Sequence, residues 1–317
     1  MKCIICEDNA DEVGSHLIPA SLIKNCVGKH YREESYNIDS KTSKISVYYG
    51  RDNLKNTSTE IKQNDYKRDY LLCKKCEKKL ADLESKFATE FLQKFRIEKF
   101  SNNFIQSYSI IGHEIYEPKK LTNEEILVYF YSIILRFCKV YHFESKDSYI
   151  EENEILKIKN FINGYFYKKI DHKIEIEEYK LIINFNKYSD KSQFIATSNH
   201  LKNPYIFYFC DAILILFTES MDEKADILFG EISNKIVQKT TKIIVGPELL
   251  YNTLSSKIAS LMANDYITNG VNYLCEINNK TYEANLLEVN ELIEKYKGKD
   301  LYLTTGIFEE LKKKYSS

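Results

Sequence analysis

Two Cys-x-x-Cys pairs carry the most legible chemistry in this chain. Cys3 and Cys6 stand in MKCIICED, and Cys73 and Cys76 stand in DYLLCKKCEKK. A Cys-x-x-Cys turn sets two thiolates at two corners of a tetrahedron, and a second turn completes the shell of a structural zinc ion. Residues 7–72 separate the pairs, more than a compact zinc module needs, so a long insertion is implied over about residues 20–70. Unligated thiols or a redox pair are the alternatives. A redox motif needs one pair leading a helix in a βαβ unit, and no such unit is visible, so zinc is the preferred reading. The other cysteines differ in kind. Cys138 and Cys210 sit in apolar runs and read as small core residues. Cys26 and Cys275 have no partner pattern.

His16 lies in Ser-His-Leu-Ile-Pro, shortly after the first pair. A histidine there can act as a general base, or can simply donate a hydrogen bond to a carbonyl beside a zinc site. After Cys76 the sequence EKKLADLESKFATEFLQKF has helical period, with Leu80, Leu83, Phe87 and Phe91 forming its apolar stripe. Glu77 and Glu84 fall two turns apart at the border of that stripe. Their oxygens suit Mg²⁺ or Mn²⁺. Alternatively, Glu77 complements the positive end of the helix and Glu84 is solvated. Arg51, Lys67, Arg68, Lys74, Lys75, Lys78 and Lys79 gather near the second pair, where they could contact several phosphates or be solvated.

The combination of C-x-x-C, then S-H-L-I-P, then L-L-C-x-x-C-E opening a helix, resembles the HNH endonuclease superfamily, the ββα-metal nucleases. Within it, the pattern is similar to a bacterial group with SHIIP and LLCxxCE signatures. The resemblance spans about residues 1–90. It implies a treble-clef-like ββα zinc module, with His16 as the base that activates water against a phosphodiester. It also implies a divalent ion, Mg²⁺ or Mn²⁺, held by strand and helix residues, with Glu77 and Glu84 as the helix candidates, and nucleic acid, probably DNA in preference to RNA, as substrate. Ser15 stands where many members have a metal-binding Asp, and the middle Asn has no clean match among Asn53, Gln63, Asn64 and Asp65. A bacterial defence effector would suit such a nuclease joined to an unassigned domain, by analogy alone. A non-catalytic zinc-stabilised module that binds nucleic acid or protein is the alternative.

The elements that must position these residues are an α+β chain. Residues 1–100 read as the zinc module and 101–317 as an α+β domain of unassigned role, a candidate surface for a homo-oligomer or protein partner. KISVYYG is a strand candidate within the insertion. NNFIQSYSIIGHEIYEP reads as irregular or extended. Thr122 and Glu125 form a capping box that opens a densely apolar helix, residues 124–143. Arg136 inside that helix must pair with a buried acid or bind an anion. A second helix covers 151–168. From 172 to 247 the period changes to alternation and predicts an antiparallel sheet, ADILFGEIS among its strands. A helical end follows, interrupted by a possible strand at KTYEANL.

Whole-chain composition excludes little. Lys plus Arg number 45 and Asp plus Glu 46, so the chain has no overall basic signature for nucleic acid. The N-terminus lacks the apolar run of a secretory signal, and no stretch is long and apolar enough to span a membrane. The sequence is therefore expected to be cytoplasmic, where paired cysteines more often bind metal than form disulfides.

Overall fold

The computed structural model describes residues 1–22, 34–39, 44–49, 67–108, 113–145, 149–169, 173, 176–188, 194–197, 201–209, 212–219, 223–230, 243–296 and 303–315. The chain divides into two compact units, Met1–Ser255 and Ser256–Ser317. The sequence reading places a boundary near residue 100, whereas compactness places one after Ser255.

The first unit is α+β. A two-stranded antiparallel hairpin joins β1 (Ser15–His16) to β4 (Lys67–Arg68), with Ser15 opposite Arg68 and His16 opposite Lys67. Helix α1 (Lys74–Phe87) follows at once. It continues through a wide turn at Ala88–Leu92 and a 3₁₀ turn at Glu98–Asn103. The helix starts before Cys76, not after it, because the Cys73 sulfur accepts a bond from the Cys76 N–H and caps it.

Nine strands form one mixed sheet among the described residues, in the order β3-β2-β8-β9-β10-β7-β11-β6-β5. These are β2 (Glu34–Asp39), β3 (Lys44–Tyr49), β5 (Phe104–Tyr108), β6 (Glu114–Pro118), β7 (Lys180–Asn186), β8 (Phe194–Thr197), β9 (Tyr205–Phe209), β10 (Ala212–Phe217) and β11 (Ile243–Gly246). The purely antiparallel sheet expected from alternation needs correction: β11 pairs with β7, and β2 with β8, in parallel. Every position of β9 and β10 is buried, so both faces of the sheet are covered at these central strands. A strand buried on both faces reads as a continuous apolar run and hides its pairing direction. ADILFGEIS is also corrected: its residues 225–229 lie in helix α4 (Glu223–Phe229). The extended stretch before residue 119 is the β5–β6 hairpin.

Helices α2 (Asn123–Ser145) and α3 (Glu152–Tyr167) pack with α1. Thr122 caps α2 as expected, Glu125 N–H donating to its Oγ1 at 3.1 Å and Thr122 N–H donating to Glu125 Oε2 at 2.9 Å. Rings bridge helices and sheet. Phe87 stacks on Tyr129 at 4.0 Å between centroids, and Phe130 and Phe91 both meet Phe185 of β7. One continuous core thus runs from Cys3 through the helices to Val245. That continuity fixes the N-terminal thiols rigidly against α1 and α3.

In the second unit, the later part of α5 (Glu248–Asn278), α6 (Tyr282–Tyr296) and α7 (Leu303–Tyr315) surround a small core of Val271, Leu274, Val289, Ile307 and Leu311. The strand expected at KTYEANL is instead the first turns of α6, where Thr281 Oγ1 accepts the Ala284 N–H as a helix cap. No helix among the described residues is long and apolar enough to cross a membrane.

Candidate metal centre and the adjoining polar cluster

The two Cys-x-x-Cys turns, far apart in sequence, meet in space. The sulfurs of Cys3, Cys6, Cys73 and Cys76 lie within 4.8 Å of one another, and Cys6 and Cys73 are 3.5 Å apart. Four thiolates about a zinc ion at ~2.3 Å stand about 3.8 Å apart, so the spacing fits. The four cysteines lie close enough to bind a metal ion. Three of them are buried and Cys6 is half-buried.

Local backbone explains the convergence. Glu7 turns through a left-handed φ of 67° and returns its N–H to the Cys3 carbonyl at 3.0 Å, closing the first knuckle. Ile4 N–H donates to Leu71 O, and Glu12 N–H to Leu72 O, tying that knuckle to the strand-like segment before Cys73. Helix α3 clasps the outside. Asn163 Nδ2 donates to the Ile5 carbonyl at 3.0 Å, Lys159 pairs with Glu7, and the Tyr167 hydroxyl meets Cys76 Sγ at 3.4 Å. Lys79 Nζ lies 3.9 Å above the Tyr167 ring and donates to Phe166 O.

Electrostatics also suits a cation. The hydrogen bond from Cys76 brings the Cys3 thiol down to about 4. Burial pushes Cys6 up to about 11, and the bond to Cys3, then burial, push Cys76 higher still. Without a positive charge between them, one thiolate forces its neighbours to keep their protons; a divalent ion releases those protons.

A polar cluster adjoins this centre. Arg136, 1% exposed on α2, is fully engaged. Its Nη1 donates to the His16 carbonyl at 2.6 Å, Nη2 to Glu84 Oε1 at 2.7 Å, and Nε to Ser132 O at 3.0 Å. The expected buried acid partner of Arg136 is therefore Glu84, and the same guanidinium fixes the backbone at His16. Ser15 is completely buried; its Oγ and the buried Oε2 of Glu77 make no hydrogen bond of ordinary length, although the Ser15 hydroxyl lies close enough to Glu77 to act on its carboxyl. Burial holds the Glu77 carboxyl above the usual range, while nearby Ser15 and Arg136 pull it down and Glu84 pushes it up.

The other predicted residues fall as follows. Lys74, Lys75 and Lys78 are exposed on the first turns of α1, and Lys79 is half-buried against α3. Arg68 is half-buried beside the hairpin, and Lys67 is placed by its strand register. Arg51, Asn53, Gln63, Asn64, Asp65 and Cys26 lie outside the described residues. Among the described residues, the four thiols are the group of three or more potential ligands that converges within reach of one ion; His16, Glu77 and Glu84 do not form such a group. Sequence reasoning missed Asn163, Lys159 and Tyr167. Their one signal is the spacing of Lys159, Asn163 and Tyr167 along one face of α3.

No family model, curated protein or solved structure matches this chain.

Proposed function

We propose that the chain is a metal-dependent, HNH-like endonuclease that cleaves nucleic-acid phosphodiesters, DNA in preference to RNA. In this reading the four cysteines hold a structural zinc ion. The β1·β4 hairpin and α1 then form a treble-clef-like ββα module. The observation that carries the reading is a pair of neighbouring buried oxygens, Ser15 Oγ and Glu77 Oε2, that make no hydrogen bond of ordinary length, Ser15 being next to His16 in β1. Buried oxygens left without partners cost free energy unless a ligand satisfies them. A hard cation, Mg²⁺ or Mn²⁺, is the ligand that such oxygens fit.

The roles follow from the contacts. His16 takes the proton from the attacking water. Glu77 and Ser15 would hold the divalent ion, which supplies charge stabilisation at the scissile phosphate when bound. Glu84 is reassigned: its oxygen is occupied by Arg136, so it positions His16 through the guanidinium. The exposed Lys74, Lys75 and Lys78 at the N-terminal end of α1 contact phosphates. The test is cleavage of supercoiled plasmid with Mg²⁺ or Mn²⁺. His16→Ala and Glu77→Gln should each lose roughly 100-fold or more in rate. Cleavage unchanged in His16→Ala would remove the proposed base.

One observation favours a second reading, a zinc-stabilised module that binds without cutting. Glu84 is neutralised by Arg136, and Ser15 replaces the carboxylate that the resemblance leads one to expect. Binding of DNA by wild-type protein with no cleavage under either metal would favour it.

A further inference from the structure

A cleft of about 820 Å³ opens between α1, the start of α2 and the end of α3. At ~100° per residue, Lys75, Lys79 and Lys86 lie on the flank of α1 opposite Glu77 and Glu84, so the cleft is distinct from the polar cluster at His16. Its charged lining is five lysines, Lys79, Lys86, Lys168, Lys169 and Lys173, against Asp82, Glu124 and Glu125. Two of the acids are neutralised internally, Glu125 by Lys86 and Glu124 by Lys173. Lys79 bonds to a carbonyl and an aromatic ring, neither of which cancels its charge. The lining therefore presents net positive charge. The half-buried ring of Tyr165 and the side chain of Phe166 form its apolar wall. Lysines beside a partly exposed aromatic ring are the chemistry that receives a stacked base and its phosphates. The exposed crest of Lys74, Lys78 and Lys75 leads round α1 from the Glu77 flank to this cleft.

We infer that this cleft is a binding site for single-stranded nucleic acid, holding a strand on the flank of α1 away from the cleavage centre. The inference rests on the nucleic-acid part of the proposed function and is independent of cleavage. Its strongest handles are Lys168 and Lys169, exposed at the end of α3.

The experiment measures fluorescence anisotropy of a labelled single-stranded 20-mer against full-length His16→Ala protein from 50 to 200 mM salt. Two phosphate contacts to a single strand contribute about 1.4 to the slope of log affinity against log salt, equal to roughly 25-fold at 0.1 M. Lys168→Glu/Lys169→Glu, and the milder Lys168→Gln/Lys169→Gln, should show that loss and a flatter slope. Lys202→Glu/Lys224→Glu makes the same charge change at the opposite end of α3, where Lys202 pairs with Glu151 and Lys224 bonds to the Lys202 carbonyl, ~24 Å along the helix from Lys168, and should change affinity by no more than about threefold at these salts. Equal weakening by both pairs, or no binding at all, overturns the site. So does competition by a free mononucleotide as strong as by the 20-mer, which makes the cleft a nucleotide pocket. A protein that binds through Lys168 and Lys169 but never cleaves leaves this site standing and defeats the nuclease reading alone.

Discussion

Replacing Arg136 by Met should be the most damaging single change outside the thiols. The guanidinium is 1% exposed and makes bonds to Glu84, to the His16 carbonyl and to Ser132. Methionine fills much of the volume but leaves the Glu84 carboxylate, 19% exposed, without its cation. Breaking a buried pair by removing one partner costs about 3–5 kcal/mol. Partial exposure of Glu84 lets water recover some of this, which puts the loss near the lower end, about 3 kcal/mol. Glu84→Gln alone strands the more deeply buried charge, Arg136, and should cost a similar amount. The double variant removes both charges and should be less destabilised than the sum of the singles by about 2 kcal/mol. Urea unfolding followed by circular dichroism, across all four proteins, measures the coupling. A loss under about 1 kcal/mol for Arg136→Met, or strict additivity in the cycle, would refute the claim that this guanidinium ties α1, α2 and β1 together.

Other outcomes follow from the same contacts. Tyr167→Phe keeps the ring beneath Lys79 and removes only the hydroxyl at Cys76; zinc transfer to a chromogenic chelator should quicken about 10-fold, since partners of a metal ligand are worth that much in affinity. An unchanged rate would mean the hydroxyl does not support the sulfur. In the second unit, burial raises Glu288, but bonds from Lys314, Tyr315 and Lys280 outweigh it and hold the carboxyl at about 2. An acid with a folded value below its unfolded value of about 4.3 stabilises above that value and loses the contribution as pH falls towards 2. Thermal melts of wild type and Glu288→Gln should therefore converge over that window, and parallel curves would refute the assignment.

The sequence made some of this architecture legible through local rules. Cys-x-x-Cys spacing identified the four thiols that converge, and Thr122 with Glu125 marked the start of α2 because a capping box is complete within four residues. That Arg136 needed a buried acid was readable from its apolar helix, but not that Glu84 would be the acid, because α1 and α2 meet only in the tertiary fold. The same limit hid Tyr167 and Asn163, which reach the knuckles from the far side of α3. Sheet direction failed for a different reason. The strands Ile243–Gly246 and Lys180–Asn186 are almost wholly buried, and burial on both faces erases the alternation that distinguishes an exposed antiparallel strand. KTYEANL alternates well enough to suggest a strand, yet Thr281 caps a helix there that packs on its own small core.

The placement of β1, and hence of His16, against α1 rests on the thiol cluster, because Ile4 and Glu12 tie the Cys3–Cys6 turn to Leu71 and Leu72 just before Cys73. X-ray absorption at the zinc edge, with metal content per chain, tests most directly whether that cluster is a metal centre. The account predicts about one zinc per chain, with four sulfurs at about 2.3 Å, and loss of the ion together with the fold around residues 1–22 in Cys73→Ser. Protein purified in zinc-containing buffer that is folded but metal-free, or a shell containing nitrogen or oxygen in place of a sulfur, would contradict it.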